Sequence, residues 1–143
     1  MSILLAQTDT TVGFLSTDAK RLEEAKLRPS SKQFLKVYPS FKEFKNDGGR
    51  IPPKYKKFVR RAKKTTFIVK NRASRIVKDP IHLQLLANYS WLYSTSANKS
   101  GCGFDKEYCL EKSDIIIEDA RGFKEDSPSA LFKINNVRCR RLR

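Results

Sequence analysis

The stretch WLYSTSANKSG, residues 91–101, sets an apolar run directly against hydroxyls and an amide. Trp91 to Thr95 has the aromatic and β-branched content of a strand. Ser94, Thr95, Ser96, Asn98 and Ser100 then crowd together in a chain that is 31% charged. A loop uses such residues as turn formers; a phosphate or carboxylate site uses them as neutral donors. The segment suits either use.

Outward from this point, strand and helix patterns alternate. Upstream, Ser2 to Leu15 reads as a strand, a loop at Gln7–Thr11 and a short strand or turn around Gly13. Asp18 to Leu27 reads as a helix, capped by Asp18 and stopped by Pro29. Gln33 to Val37 is a strand. Ser40-Phe-Lys-Glu43 is a capping box opening a short helix that ends at Asn46-Asp-Gly-Gly49. Pro53 to Lys63 is a basic helix with Tyr55, Phe58, Val59 and Ala62 on one face. Thr65–Val69 and Ser74–Val77 are strands. Pro80 to Asn88 is a helix with Leu83, Leu85, Leu86 and Ala87 inward and His82 exposed in its first turn. Downstream, Asp114–Glu118 reads as a buried strand, and Ser129–Ile134 and Val137–Arg141 close the chain around an Asn135-Asn136 turn. This interleaving indicates a single α/β domain over residues 1–143, a sheet with helices on its faces.

At 39% hydrophobic and 10% aromatic the chain can build a core. It has no apolar run of about 18 residues and no basic leader, so neither a membrane span nor a signal peptide is expected. Three cysteines without CxxC spacing, Cys102, Cys109 and Cys139, point to a reducing, cytoplasmic setting and no metal site. The formal net charge of +15 attracts polyanions.

Polar clusters stand at predicted strand ends, where ligands of open α/β sheets collect. They are Thr8-Asp9-Thr10-Thr11, Lys26 and Arg28 with Lys32, Arg75, and Ser94 to Gly101. Lys26 and Arg28 would diverge inside a regular helix, but at a helix end they could converge on one anion. Each cluster also has a plain reading: an ST turn at Thr8–Thr11, C-terminal helix charges at Lys26 and Arg28. The residues by themselves therefore reach as far as a basic α/β domain with an anion pocket.

The order of the clusters carries the reading further. TDTTVGF (8–14), KLRPSSK (26–32), SRIVKDP (74–80), STSANKSG (94–101) and SPS (127–129) together resemble the YrdC/TsaC family, the threonylcarbamoyl-AMP synthases. The resemblance implies a twisted mixed sheet with a basic concave cleft. It implies an enzyme that joins L-threonine, bicarbonate and ATP into threonylcarbamoyl-adenylate, with Mg²⁺ expected on the pyrophosphate. A partner enzyme would then transfer the group to N6 of an adenosine in tRNA. Carried over by position, Lys26, Arg28, Ser96 and Asn98 would be catalytic. Thr8, Thr11, Lys32, Arg75, Ser94, Ser129 and Arg140 would bind substrate and nucleotide, with Ser96 and Asn98 donating to phosphate or carbamate oxygens. The sequence departs from the family in lacking a helix before the first strand, in Val12 where an aromatic is usual, and in Lys63-Lys-Thr65 where a Pro-Gly-Pro turn is usual. The resemblance also implies tRNA or double-stranded RNA as a partner of the basic cleft, and the alternative is a non-catalytic relative that binds tRNA or ribosomal RNA in the same cleft.

Overall fold

A computed structural model describes residues 2–28 and 33–143. In chain order its strands and helices begin with β1 (Leu4–Gln7), β2 (Val12–Ser16), α1 (Ala19–Lys26), β3 (Leu35–Tyr38) and α2 (Phe41–Asn46). A 3₁₀ turn at Pro53–Tyr55 leads into α3 (Lys56–Arg61), β4 (Thr65–Val69), β5 (Arg72–Ile76) and α4 (Pro80–Leu86). The remainder is β6 (Leu92–Ser96), α5 (Lys106–Lys112), β7 (Ile115–Ile117), β8 (Ala130–Ile134) and β9 (Cys139–Arg141). The architecture is mixed α/β, with parallel and antiparallel ladders, and it divides into two compact units, each built from two separate segments. Met1–Phe34 joins Leu92–Pro128, and Leu35–Trp91 joins Ser129–Arg143.

In the first unit the strand order is β7-β1-β2-β6. The β1–β2 hairpin is buried along its whole length, as the unbroken apolar runs of both strands require. Ile3, Leu5, Val12, Phe14, Leu22, Ala25, Ala97 and Cys109 form its core. Asp18 caps α1, accepting from the Lys20 and Arg21 amides at 3.1 and 3.4 Å. The region around Gly13 is a strand, not a turn, and it needs a glycine. A Cβ there would stand 3.0 Å from Thr8 Cγ2 and 3.1 Å from the Thr95 carbonyl, so the Thr8–Thr11 turn and β6 close on its backbone.

In the second unit the order is β3-β5-β4-β8-β9. Tyr38, Phe44, Ile51, Val59, Phe67, Ile76 and Ile134 make the core. β4 and β5 are a hairpin paired Val69 to Arg72, with Lys70 and Asn71 at φ 51° and 64° in the turn. Both central residues at positive φ define a type I′ turn, whose twist suits a two-residue hairpin. This turn starts β5 at Arg72, two residues earlier than the sequence suggests.

The structure corrects three further expectations. Ile115 and Ile116 of β7 are 45% exposed instead of buried, because β7 is the end strand of its ladder and among the described residues pairs with β1 alone. His82 is fully buried instead of exposed: α4 turns His82 and Leu86, one turn apart, inward, and leaves Ile81 and Ala87 out. Helix α5 is absent from the sequence reading, although Asp105 caps it through the Tyr108 amide. With Cys109 its one fully buried residue, it shows little apolar periodicity.

Gly49 is the tightest contact in the second unit, since a Cβ there would fall 2.4 Å from the Phe44 ring. Gly49→Ala is expected to cost about 1–3 kcal/mol of stability through overpacking. Gly103→Ala, where a Cβ meets only Glu125 Oε1 at 3.4 Å, should stay within about 0.5 kcal/mol. Urea unfolding of the two variants beside the parent checks both.

Candidate active site

Lys26, the last residue of α1, is 4% exposed although it carries an ammonium. Its Nζ donates to the Ser96 carbonyl at 2.9 Å, to Ser96 Oγ at 3.2 Å and to Asn98 Oδ1. Ser96 Oγ in turn donates to Asn98 Oδ1 at 2.8 Å, and Asn98 Nδ2 donates to the Cys102 carbonyl. Three donors thus meet three acceptors. Backbone bonds fix the loop to the helix end: Ser100 N donates to the Lys26 carbonyl at 2.9 Å, and Ala97 N to the Val12 carbonyl at 2.9 Å. The SxN spacing therefore first serves to seat Lys26.

Helix α5 braces the same point from the other side. Tyr108 Oη donates to the Ala25 carbonyl, and Cys109 Sγ contacts the Ala97 carbonyl at 3.2 Å. Its signal in the sequence was the Asp105 cap followed by Tyr108 and Cys109.

Burial, and after it the neighbouring Arg28 charge, lowers the Lys26 pKa from 10.5 to about 8. Arg28 lies beyond a sharp reversal. Leu27, 60% exposed, holds φ 51° and ψ 45°, and Arg28 N closes the helix on the Glu23 carbonyl at 3.0 Å. Glycine is the usual residue at such a helix end. A leucine there stores strain between the two basic residues of the pair. The Arg28 guanidinium lies 4.5 Å over the Phe34 ring and donates to the Gln33 carbonyl at 2.9 Å, and its buried Nε has no partner among the described residues. Lys32 lies outside the described residues.

Thr8 and Thr11 do form an ST turn. Thr8 Oγ1 donates to the Thr11 carbonyl at 2.6 Å and accepts from the Thr10 amide at 3.2 Å. Thr11 Oγ1 accepts from the Asp126 amide at 3.3 Å. The turn reading and the site reading are compatible, since Val12 N and O join this turn to Lys124 and to Ala97 of the donor loop. Ser94 is buried in β6 opposite Leu15.

The second unit holds the other expected residues. Arg75 is 3% exposed on β5. Ser129 Oγ is 2.7 Å from Thr66 Oγ1. Arg143 donates to the Ser129 carbonyl at 2.9 Å through Nε and to Ser129 Oγ at 3.3 Å through Nη2. Arg140 is exposed on β9 opposite Lys133. The arginine that reaches Ser129 is therefore Arg143, three residues on, and Thr66 is a second partner that the sequence reading passed over.

The charge is divided unequally. The second unit contains 20 Lys and Arg against 3 Asp and Glu; the first contains 10 against 12. The whole basic excess belongs to the second unit. Among the described residues no group of three or more His, Cys, Asp and Glu could hold a metal ion, and no helix is long and apolar enough to cross a membrane.

No family model and no curated protein matches the sequence. Solved structures do match the fold. P. abyssi Sua5 complexed with L-threonine superposes at a TM-score of 0.81 and 20% identity, over 99% of this chain and 50% of that one. E. coli YciO gives 0.77 at 16% identity, over 99% of this chain and 82% of that one. Full-length HypF in a phosphate- and nucleotide-bound form gives 0.75 at 18% identity, over 99% of this chain and 22% of that one. The chain thus spans about half the length of Sua5.

Two measurements test this geometry. The folded state holds Lys26 at about 8 while the unfolded chain keeps 10.5. In that window the unfolded chain binds more protons, so stability should rise with pH between the two values; below about 8 the full cost of the buried cation remains. Lys26→Met should remove this part of the slope in denaturation series across pH. Leu27→Gly, which relieves the left-handed strain, should stabilise by about 0.5–1 kcal/mol in the same assay. The fold that carries these residues is the YrdC-like fold shared with Sua5, YciO and the matched part of HypF.

Proposed function

We propose that the protein is a threonylcarbamoyl-AMP synthase. The observation that carries this reading is the buried Lys26 ammonium seated by Ser96 and Asn98. The L-threonine bound to Sua5 and the nucleotide bound to HypF support amino acid and nucleotide as ligand classes. In the reaction the amine of L-threonine takes up CO₂ from bicarbonate to give a carbamate. A carbamate oxygen then attacks the α-phosphorus of ATP, and the bond to the β-phosphate oxygen breaks, releasing pyrophosphate.

Both reactants are anions, so their repulsion is part of the barrier. Lys26 and Arg28 offset it with positive charge, Lys26 from a buried position where its charge is screened little. Ser96 and Asn98 orient the Lys26 ammonium, and each can exchange an internal bond for a substrate oxygen. Thr8, Thr11 and Ser94 belong to the threonine side, with Lys32 as a further cation. Within the second unit, Arg75, Ser129 and Arg140 are the residues the family resemblance assigns to nucleotide binding, and Arg143 joins them through its bonds to Ser129. A Mg²⁺ would be held by the nucleotide's own phosphates, since no described cluster of protein ligands fits it. The product would pass to a partner enzyme that transfers the threonylcarbamoyl group to tRNA. The protein would work in the cytoplasm.

The test is pyrophosphate release from ATP with L-threonine and bicarbonate, added singly and together. Release that needs both, and that falls at least about tenfold in Lys26→Ala and in Ser96→Ala variants that remain folded, is the expected result. Full activity in both variants would remove these residues from the chemistry.

The charge division favours a second reading, in which the second unit binds RNA through its phosphates with or without the synthase reaction. tRNA affinity would then fall steeply with added salt, whereas threonine and ATP binding in the first reading would change little. Salt-insensitive or absent tRNA binding would dismiss it.

A further inference from the structure

The second unit contains a cavity of about 100 Å³ between α2, the Gly48–Ile51 segment and the β4–β5 hairpin. Phe44, Ile51, Phe67, Val69 and Ile76 make its walls, and Arg50, Lys70 and Arg72 stand among its lining residues. It is separate from the residues assigned above. Side chains alternate across a strand. Phe67 and Val69 on β4, with Arg72, Ser74 and Ile76 on β5, face the cavity; Thr66 and Arg75 therefore point to the other face. The cavity also reaches the hairpin tip at Val69–Arg72, whereas Thr66 and Arg75 stand toward the hairpin's open end.

The walls are held in place. Phe44 packs edge-on to Tyr38 at 5.5 Å and against Phe41 at 5.7 Å. The Gly49 backbone lies so close to its ring that no Cβ would fit. Phe44 is therefore packed by Tyr38, Phe41 and the Gly49 backbone.

The electrostatics are one-sided. No acidic residue lines the cavity. Arg50 spends one nitrogen on the Gly49 carbonyl at 2.8 Å, which leaves most of its five donors. Lys70, at the exposed turn, makes no hydrogen bond or ion pair among the described residues. Asp47, outside the lining, is bonded to Tyr38 at 2.6 Å and Lys36 at 3.0 Å and pairs with Arg72 at 3.6 Å, so Arg50 and Lys70 are the cations left for a ligand.

We propose that this cavity binds a small aryl carboxylate, a single aromatic ring bearing one anionic group. At about 100 Å³ the cavity is smaller than an engineered cavity of about 150 Å³ that takes up benzene, so one ring is the most it can take and the anionic group must lie at its mouth. Apolar walls favour the ring, and an arginine fork with a lysine favours a carboxylate over a neutral group. The same cations disfavour a ligand whose only charge is an ammonium group. The proposal stands independently of the synthase reading.

Benzoate is the probe and benzylamine its oppositely charged control, with assigned methyl resonances of Ile51, Val69 and Ile76 as the readout. Benzoate should shift these methyls saturably at millimolar concentration, and benzylamine should not. Val69→Phe, which fills the space, should abolish the shift. The Arg50→Gln/Lys70→Gln double variant, altered only at exposed side chains, should weaken it at least about tenfold. This second variant keeps the test valid if Val69→Phe does not fold. An absent shift, an equal response to benzylamine, a shift surviving in folded Val69→Phe, or unchanged affinity in the double variant would each overturn the proposal. Pyrophosphate release measured alongside reports separately on the synthase reading.

Discussion

An ammonium taken out of water must find acceptors, and much of the first unit can be understood from how Lys26 finds its own. An uncompensated buried charge is costly enough to rearrange or neutralise its site. Here the end of β6 and the loop after it supply a carbonyl, a hydroxyl and an amide oxygen. The β2–β6 ladder places that loop, the Ala97–Val12 bond pins it, and α5 holds Ala25 and Ala97 on either side. All three acceptors are neutral, so the positive charge is solvated without being cancelled. A lysine paired to a carboxylate would have lost its attraction for an anionic substrate.

The two units apply charge in different ways. The first keeps one cation buried among nearly balanced surface charges. The second also buries one cation, Arg75, but exposes most of its excess and offsets it at few points, among them Asp47, where burial opposes ionisation but the Tyr38 and Lys36 hydrogen bonds hold the carboxyl below its ordinary range. Dispersed surface charge produces a long-range field that salt weakens, whereas a buried point charge acts over a few ångströms and is screened little. Capture of a polyanion and handling of a small anion can therefore be tuned by separate substitutions.

The sequence was legible wherever a local rule decided the outcome. Asp18 and Ser40 cap their helices as expected, and Thr65–Val69 is a strand. It misled where long-range partners decided. Ile115–Ile117 is apolar enough for a core and lies at an edge; His82 looks polar enough for the surface and is enclosed. In the site, residue identities were legible but directions were not. Ser96 and Asn98 turn toward Lys26, and Ser129 is met by Arg143, which the sequence reading did not single out. Spacing near a chain end says little about which of several arginines a strand will deliver.

The discontinuity of both units governs the order in which the chain can fold. β1 pairs with β7, more than a hundred residues away, and β4 pairs with β8. The loop-closure entropy for such partners has to be met before their contacts give anything back. On a ribosome, neither ladder is complete until the segments around residues 115–117 and 130–134 have emerged. Until then the hydrophobic β1–β2 hairpin lacks its outer neighbour, and the aromatic faces of Phe67 and Phe58 lack Phe132. Neither unit can therefore complete its ladder from its N-terminal segment alone.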